Sequence, residues 1–155
     1  MIAGLLIAAC SSSKPGTGSV DAHFLAVATT ACDGALQQVA PYPFPYTSFD
    51  DTNPLLTELP GAAAYYNAQP FNHKELGFVK SLGKPKQGGK TWSQFVDLVS
   101  RQQAAVGREI TTGKAADKAG FVAAAQQVAA IGQQVRTIGA AVGFKPQASC
   151  ILLFG

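Results

Sequence analysis

Residues 117–146 read DKAGFVAAAQQVAAIGQQVRTIGAAVGFKP. Phe121, Val128, Val135 and Val142 recur every seven positions, and Ala124, Ile131 and Ile138 each fall three later. That spacing holds one apolar seam on one side of a helix over three heptads. Asp117 is the expected N-cap, and Gly143 followed by Phe144, Lys145 and Pro146 is a helix stop. Ala125, Ala129, Gly132 and Gly139 allow a neighbouring backbone to approach closely. The polar side carries Gln126, Gln127, Gln133, Gln134 and Arg136, either an ordinary solvent face or a partner surface.

Working back from this helix, Thr91-Trp92-Ser93-Gln94 has capping-box spacing. Trp92, Val96, Val99, Val106 and Ile110 then follow on one face, with Gly113 expected to close the helix. Lys84–Lys90 is a Gly/Lys/Pro linker. Residues 60–83 divide into two helical pieces at Pro70, and Asn72-His73-Lys74-Glu75 is a second expected capping box, with Asn72 as N-cap and Glu75 at N3. Leu82-Gly83, with Pro85 beyond, ends that piece. Pro41, Pro43 and Pro45 alternate with aromatic residues and open a loop that runs to about Leu59. A first helix, from about Val20 to Val39, shows apolar spacing of three and four through Phe24, Ala28, Cys32 and Leu36. Ser19 or Asp21 caps it. Four helical units with short or Pro-rich connections predict an all-α, compact four-helix-type up-down bundle. Cys150 is expected to come back toward Cys32 on an extended tail, with Ile151, Leu152, Leu153 and Phe154 packed on the bundle.

The 155 residues amount to one domain. Charged residues are 14% of the chain, against about 25% in an average domain. No apolar run approaches the ~18 residues of a spanning helix. Residues 1–60 hold one basic and five acidic groups, and residues 61–155 hold eleven basic and four acidic. Lys74, Lys80, Lys84, Lys86 and Lys90 form a basic cluster. It is either a solvated face or a surface for anionic headgroups or wall polymers. No aromatic interleaving marks it as a nucleic-acid surface, so no nucleic-acid partner is expected.

The N-terminus reads Met1-Ile-Ala-Gly-Leu-Leu6-Ile7-Ala8-Ala9-Cys10 and then Ser11-Ser12-Ser13. An aliphatic residue and two small residues before a cysteine resemble the bacterial lipobox. The resemblance implies a diacylglycerol on Cys10, cleavage before it and acylation of the new amine, by palmitate among other chains. Two or three acyl chains anchor a protein stably, whereas one is marginal. Met1 is followed by no Lys or Arg, unlike the basic start of a secretory leader, so the true start is expected upstream. Residues 1–9 are then a leader remnant, 10–19 a lipidated flexible tether and 20–155 one helical domain. If Cys10 carries lipid, Cys32 and Cys150 remain, and an exported compartment is oxidising enough to join them. The alternative is two buried thiols. The Cys-bearing first helix, the aromatic Pro loop and the ending Val142-Gly143-Phe144 … Cys150 … Phe154-Gly155 look like a group of small actinobacterial secreted lipoproteins with no activity attached.

Catalytic motifs are weak. Gly89-Lys90-Thr91 resembles the end of a phosphate loop, but its first glycine is displaced and no strand precedes it. Ser11-x-x-Lys14 and Ser81-x-x-Lys84 lack the partners of the penicillin-recognising set. Two histidines, His23 and His73, with no Glu-x-x-His spacing, suit neither a zinc nor a di-metal carboxylate site. No enzyme activity and no cofactor are expected. The expected function is a non-enzymatic, lipid-anchored binding or scaffold module on the extracytoplasmic face of the cell membrane, facing an envelope protein or wall polymer. The alternative is a carrier of haem or lipid between helices, with Tyr65, Tyr66, His73 and Trp92 near the ligand.

Overall fold

The structure, a computed structural model, describes residues 18–37 and 44–154. Cys10, the leader, the tether through residue 17 and the Pro41–Pro43 stretch lie outside the described residues. Six α-helices and no strand occur among those described: α1 Ala22–Gln37, α2 Leu59–Ala68, α3 Glu75–Ser81, α4 Gly89–Lys114, α5 Lys118–Val142 and α6 Ser149–Phe154. A 3-10 turn, Pro70–His73, joins α2 to α3. The protein is all-α, and its helices pack as a bundle closed by a disulfide.

The centre is the pairing of α4 with α5. A three-residue connection, Ala115 to Asp117, makes the pair antiparallel, and each helix is about 38 Å long. α2 and α3 pack on α4, whereas α1 packs on α6, which in turn lies on α5. The heptad seam of α5 is where its spacing puts it: Phe121, Ala124, Ile131, Val135 and Val142 are buried, and Val128 and Ile138 are half-buried. Asp117 accepts from the Gly120 N–H at 3.0 Å. At the other end Gly143 takes φ +115°, the Phe144 N–H reaches the Gly139 carbonyl at 3.0 Å, and Phe144 is buried. These are the bonds of the expected glycine stop.

Gly113 does not end α4. The helix runs to Lys114, and Ala116 takes the left-handed conformation at φ +54°. A Cβ on Gly113 would lie 2.8 Å from the Ala63 Cβ and 3.2 Å from Phe121. The glycine is required by the close approach of α2 and α5. Neither expected capping box forms. Gly88, at φ +71°, precedes α4, so Thr91 and Gln94 lie inside the helix. A Cβ at Gly88 would sit 2.5 Å from the Ser19 carbonyl oxygen, so the incoming chain decides where α4 starts. Lys74, not Asn72, precedes α3, and Glu75 is buried instead of reaching back to a backbone N–H. Asp21 does cap α1: its carboxylate accepts from Phe24 N–H at 2.9 Å and from Lys86 N–H at 2.7 Å. These bonds, the Phe24 one first, hold its carboxyl below the usual range.

Cys32 and Cys150 are disulfide-bonded, with Cα atoms 5.1 Å apart. The tail reaches Cys32 as the short helix α6, not as extended chain. Ile151 and Phe154 face the core, Leu153 is half-buried, and Leu152 is 61% exposed and does not pack. Ile151 fills the space where a Gly139 side chain would stand. Phe154 stacks edge-on to Phe95 at 5.8 Å.

Val135→Asp is expected to unfold the domain, because an unpaired charge in this apolar seam is very costly to bury. Gln134→Asp, one residue away and exposed, leaves the melting temperature within about 2 °C. Thermal melts of the two variants check the seam. Reduction of Cys32–Cys150, which closes a separation of 118 residues, is expected to cost about 4 kcal/mol on the chain-entropy model. Hydrogen exchange should show α1 and α6 opening first, since each is held largely by the other.

Candidate functional site

The apolar core is in two parts along the α4–α5 pair. One surrounds Trp92, Phe95, Val135 and Phe154; the other is Leu59, Ala62 and Phe121 under Phe44, Phe49 and Tyr66. In sequence order along both helices, the residues between them line a pocket of about 380 Å³. Its apolar wall is Val106 from α4, Ala125, Val128 and Ala129 from α5, and Leu153 from α6. Its polar wall is Asp51, Tyr66, Asn72, Glu75, Gln102 and Glu109.

Each polar residue arrives for a local reason. Gln102 and Glu109 lie seven apart in the register of Phe95, two turns or about 10 Å along the core face of α4. They are 9% and 5% exposed. Glu75, 3% exposed, opens α3. Gln103 fixes the backbone on both sides of it: its amide oxygen accepts from Leu76 N–H at 3.1 Å, and its amide nitrogen donates to the His73 carbonyl at 3.1 Å. Asn72 donates to the Tyr66 carbonyl at 2.9 Å, holding the 3-10 turn against α2.

None of the residues lining the pocket is basic. Burial pushes the Glu75 carboxyl up to about 7, and burial together with the Asp51 charge pushes Glu109 to about 7. Burial first, and then Glu109 and Asp51, raise the Tyr66 phenol above its ordinary value, so it stays a hydrogen-bond donor. Glu75 Oε2 and Gln102 Oε1 are buried without a hydrogen-bond partner. Buried polar atoms are nearly always satisfied, so two orphaned polar atoms on residues that line one pocket call for an explanation.

The four residues expected near a ligand come together only in part: Tyr65 and Tyr66 meet edge-on at 5.6 Å. Tyr66 lines the pocket. Tyr65 packs edge-on against Phe44 at 4.7 Å. His73 is exposed, with Nε2 3.0 Å from the Asn67 carbonyl. Trp92 lies about 25 Å from Glu109 along α4, where it meets Phe24 edge-on at 4.8 Å and donates to the Gly83 carbonyl at 3.0 Å. A signal for Gln102 and Glu109 was present: both are polar residues at apolar positions of the α4 stripe. Glu75 was hidden by its resemblance to a cap. Among the described residues no group of three or more His, Cys, Asp or Glu side chains is arranged to hold a metal ion. No helix among them is long and apolar enough to cross a membrane. No family model, curated protein or solved structure matches the chain.

The two glutamates predict an acid-stabilised fold. A carboxyl raised from 4.5 to about 7 binds its proton more tightly in the folded state. It therefore opposes folding progressively as pH rises from about 4.5 to 7, and by a constant amount above. The charged or titratable neighbours in the pocket are Asp51 and Tyr66; α5 and α6 contribute only apolar groups there. The melting temperature should fall between pH 5 and 7.5. Glu75→Gln should flatten the slope and stabilise the protein at pH 7.5 by on the order of 2 kcal/mol.

Proposed function

We propose that this protein is a non-enzymatic lipoprotein of the cell envelope, held by lipid on Cys10 at the extracytoplasmic face of the membrane, whose helical domain binds a small ligand in the pocket between α3, α4 and α5. The observation that carries the binding role is the pair of orphaned buried polar atoms, Glu75 Oε2 and Gln102 Oε1, on that pocket. A residue kept for stability alone would be apolar there, since a well-packed apolar group costs less than an unsatisfied polar one.

The anchoring role has its own support. The chain enters the domain at residues 18–20, where Ser19 lies against Gly88 and Asp21 accepts from the Lys86 N–H. Lys84, Lys86 and Lys90 are exposed beside that entry point. A lipid on Cys10 would bring this end nearest the membrane, where lysines favour anionic headgroups. The disulfide fits an oxidising compartment. A haem or fatty-acid cargo fits less well: no basic side chain lines the pocket to pair with its carboxylate, and no histidine lines it to ligate iron. The two raised carboxyls also suit general acid–base catalysis. That second reading requires a turnover lost in both Glu75→Gln and Glu109→Gln.

Cys10→Ala is expected to move the protein from the membrane fraction to a soluble or unprocessed form, with loss of an acyl mass from the wild type. Unchanged partitioning and no acyl mass would overturn the anchor. Native mass spectrometry of the membrane-extracted protein reads the binding role, through a co-purifying small molecule lost in Glu75→Gln/Glu109→Gln.

A further inference from the structure

We infer that the pocket between α3, α4 and α5 is a site for a small organic ammonium ion with an apolar body. This assignment rests on the binding-module reading and adds the chemistry of the ligand. The two orphaned atoms are a carboxyl oxygen of Glu75 and the amide oxygen of Gln102. With Glu75 ionised both accept, and what that form of the pocket lacks is a donor. Asp51 and Glu109 add two further carboxyl groups at the same pocket, and no Lys, Arg or His answers them. A donor that also carries positive charge satisfies the acceptors and neutralises the carboxylates in one step.

The walls decide between kinds of cation. A hydrated metal ion needs several oxygen ligands arranged around one point, and no such group of side chains occurs among the described residues. Val106 lies on α4 between Gln102 and Glu109, and with Ala125, Val128 and Ala129 of α5 and Leu153 of α6 it offers hydrocarbon and no donor or acceptor side chain. An alkyl or alicyclic body covers these side chains while its ammonium faces Glu75, Gln102 and Glu109. The Tyr66 ring is a further face on which a cation is favourable. Small-molecule sites commonly have this form, an apolar cavity with a few convergent polar groups. The pocket volume, about 380 Å³, lies in the lower part of the usual range for such sites.

Protonation couples to binding. In the empty pocket, burial favours the neutral carboxyls of Glu75 and Glu109, whereas an ammonium favours their ionised forms. The groups facing them are Asp51 from the loop before α2 and Tyr66 from α2; α5 and α6 present no titratable group. Entry of the cation therefore releases protons, and affinity falls as pH drops below about 7.

The probes are n-hexylammonium, with n-hexanol and n-hexanoate as shape-matched neutral and anionic controls. Titration calorimetry and amide-shift mapping at pH 7.5 are expected to show hexylammonium bound, with shifts at Glu75, Gln102, Glu109 and Val128. Proton release should appear as a dependence of the heat on buffer. Affinity should fall from pH 6.5 to 5.5 by about tenfold for each glutamate that loses its proton on binding. Glu75→Gln/Glu109→Gln, which removes ionisable groups from the core and keeps their shape, is expected to fold and to lose at least tenfold. Glu58→Gln, outside the pocket, should change nothing. Ala129→Leu, which narrows the pocket without touching a carboxyl, should also weaken binding. Hexanol binding as well as the amine would overturn the cation assignment, as would hexylammonium binding that survives the double substitution. If no amine binds but another small molecule co-purifies from membranes and depends on Glu75 and Glu109, the binding module stands and the ligand class fails. If nothing binds in either experiment, both fail.

Discussion

The close antiparallel contact of α4 with α5 is the constraint on which the other elements depend. α2 and α3 have their main partner in α4, and α6 lies on α5. Small residues make this possible. Gly113 lets α2 and Phe121 approach α4, and Gly139 opens the notch that Ile151 of α6 occupies. α1 is the outlying member. It touches α4 through Phe24 on Trp92, its N-terminus is tied by Asp21 to Lys86, and its middle is held to α6 by the disulfide. A chain with few charges and many small residues cannot rely on large apolar side chains throughout. Covalent closure of its two ends offsets that shortage.

The α4–α5 pair also explains where the pocket can exist. Both ends of the pair are filled by aromatic clusters, Trp92 with Phe95 at one end and Phe44, Phe49 and Phe121 at the other. Between them α5 offers Ala125, Val128 and Ala129 to the pocket, and α4 offers Gln102, Val106 and Glu109. Small residues opposite polar ones leave a volume that apolar side chains would otherwise fill. The buried glutamates work against the stability of the fold at neutral pH. The chain enters the bundle at residues 18–20 beside Gly88, at the end that carries the exposed Lys84, Lys86 and Lys90.

Parts of the fold were legible where local chemistry acts alone. Asp21 and Asp117 cap their helices, Gly83 and Gly143 end theirs, and the heptad frame of α5 is buried as its spacing requires. Each of these rests on contacts within a few residues. The misreadings share one cause. Thr91 and Gln94, and Asn72 and Glu75, have the spacing of a capping box, but their helix starts were set by distant segments: Ser19 against Gly88 in one case, and Gln103 clamped across residues 73–76 in the other. Gly113 had the look of a terminator and serves instead as a contact surface. Of the residues expected near a ligand, only Tyr66 is at the pocket, because aromatic and histidine content says nothing about which end of a 38 Å helix pair a side chain occupies.

By itself the sequence determined the helical class, the apolar frame of α5 and the caps at Asp21 and Asp117. All of these follow from composition, period and short-range spacing, which a chain carries whatever its fold. Only the tertiary structure decided that Glu75, Gln102 and Glu109 share a pocket with Tyr66. Glu75 and Glu109 are 34 positions apart, on different helices, and each is unremarkable in its own segment. What sets them apart is burial, and burial is a property of what the rest of the chain places around a group.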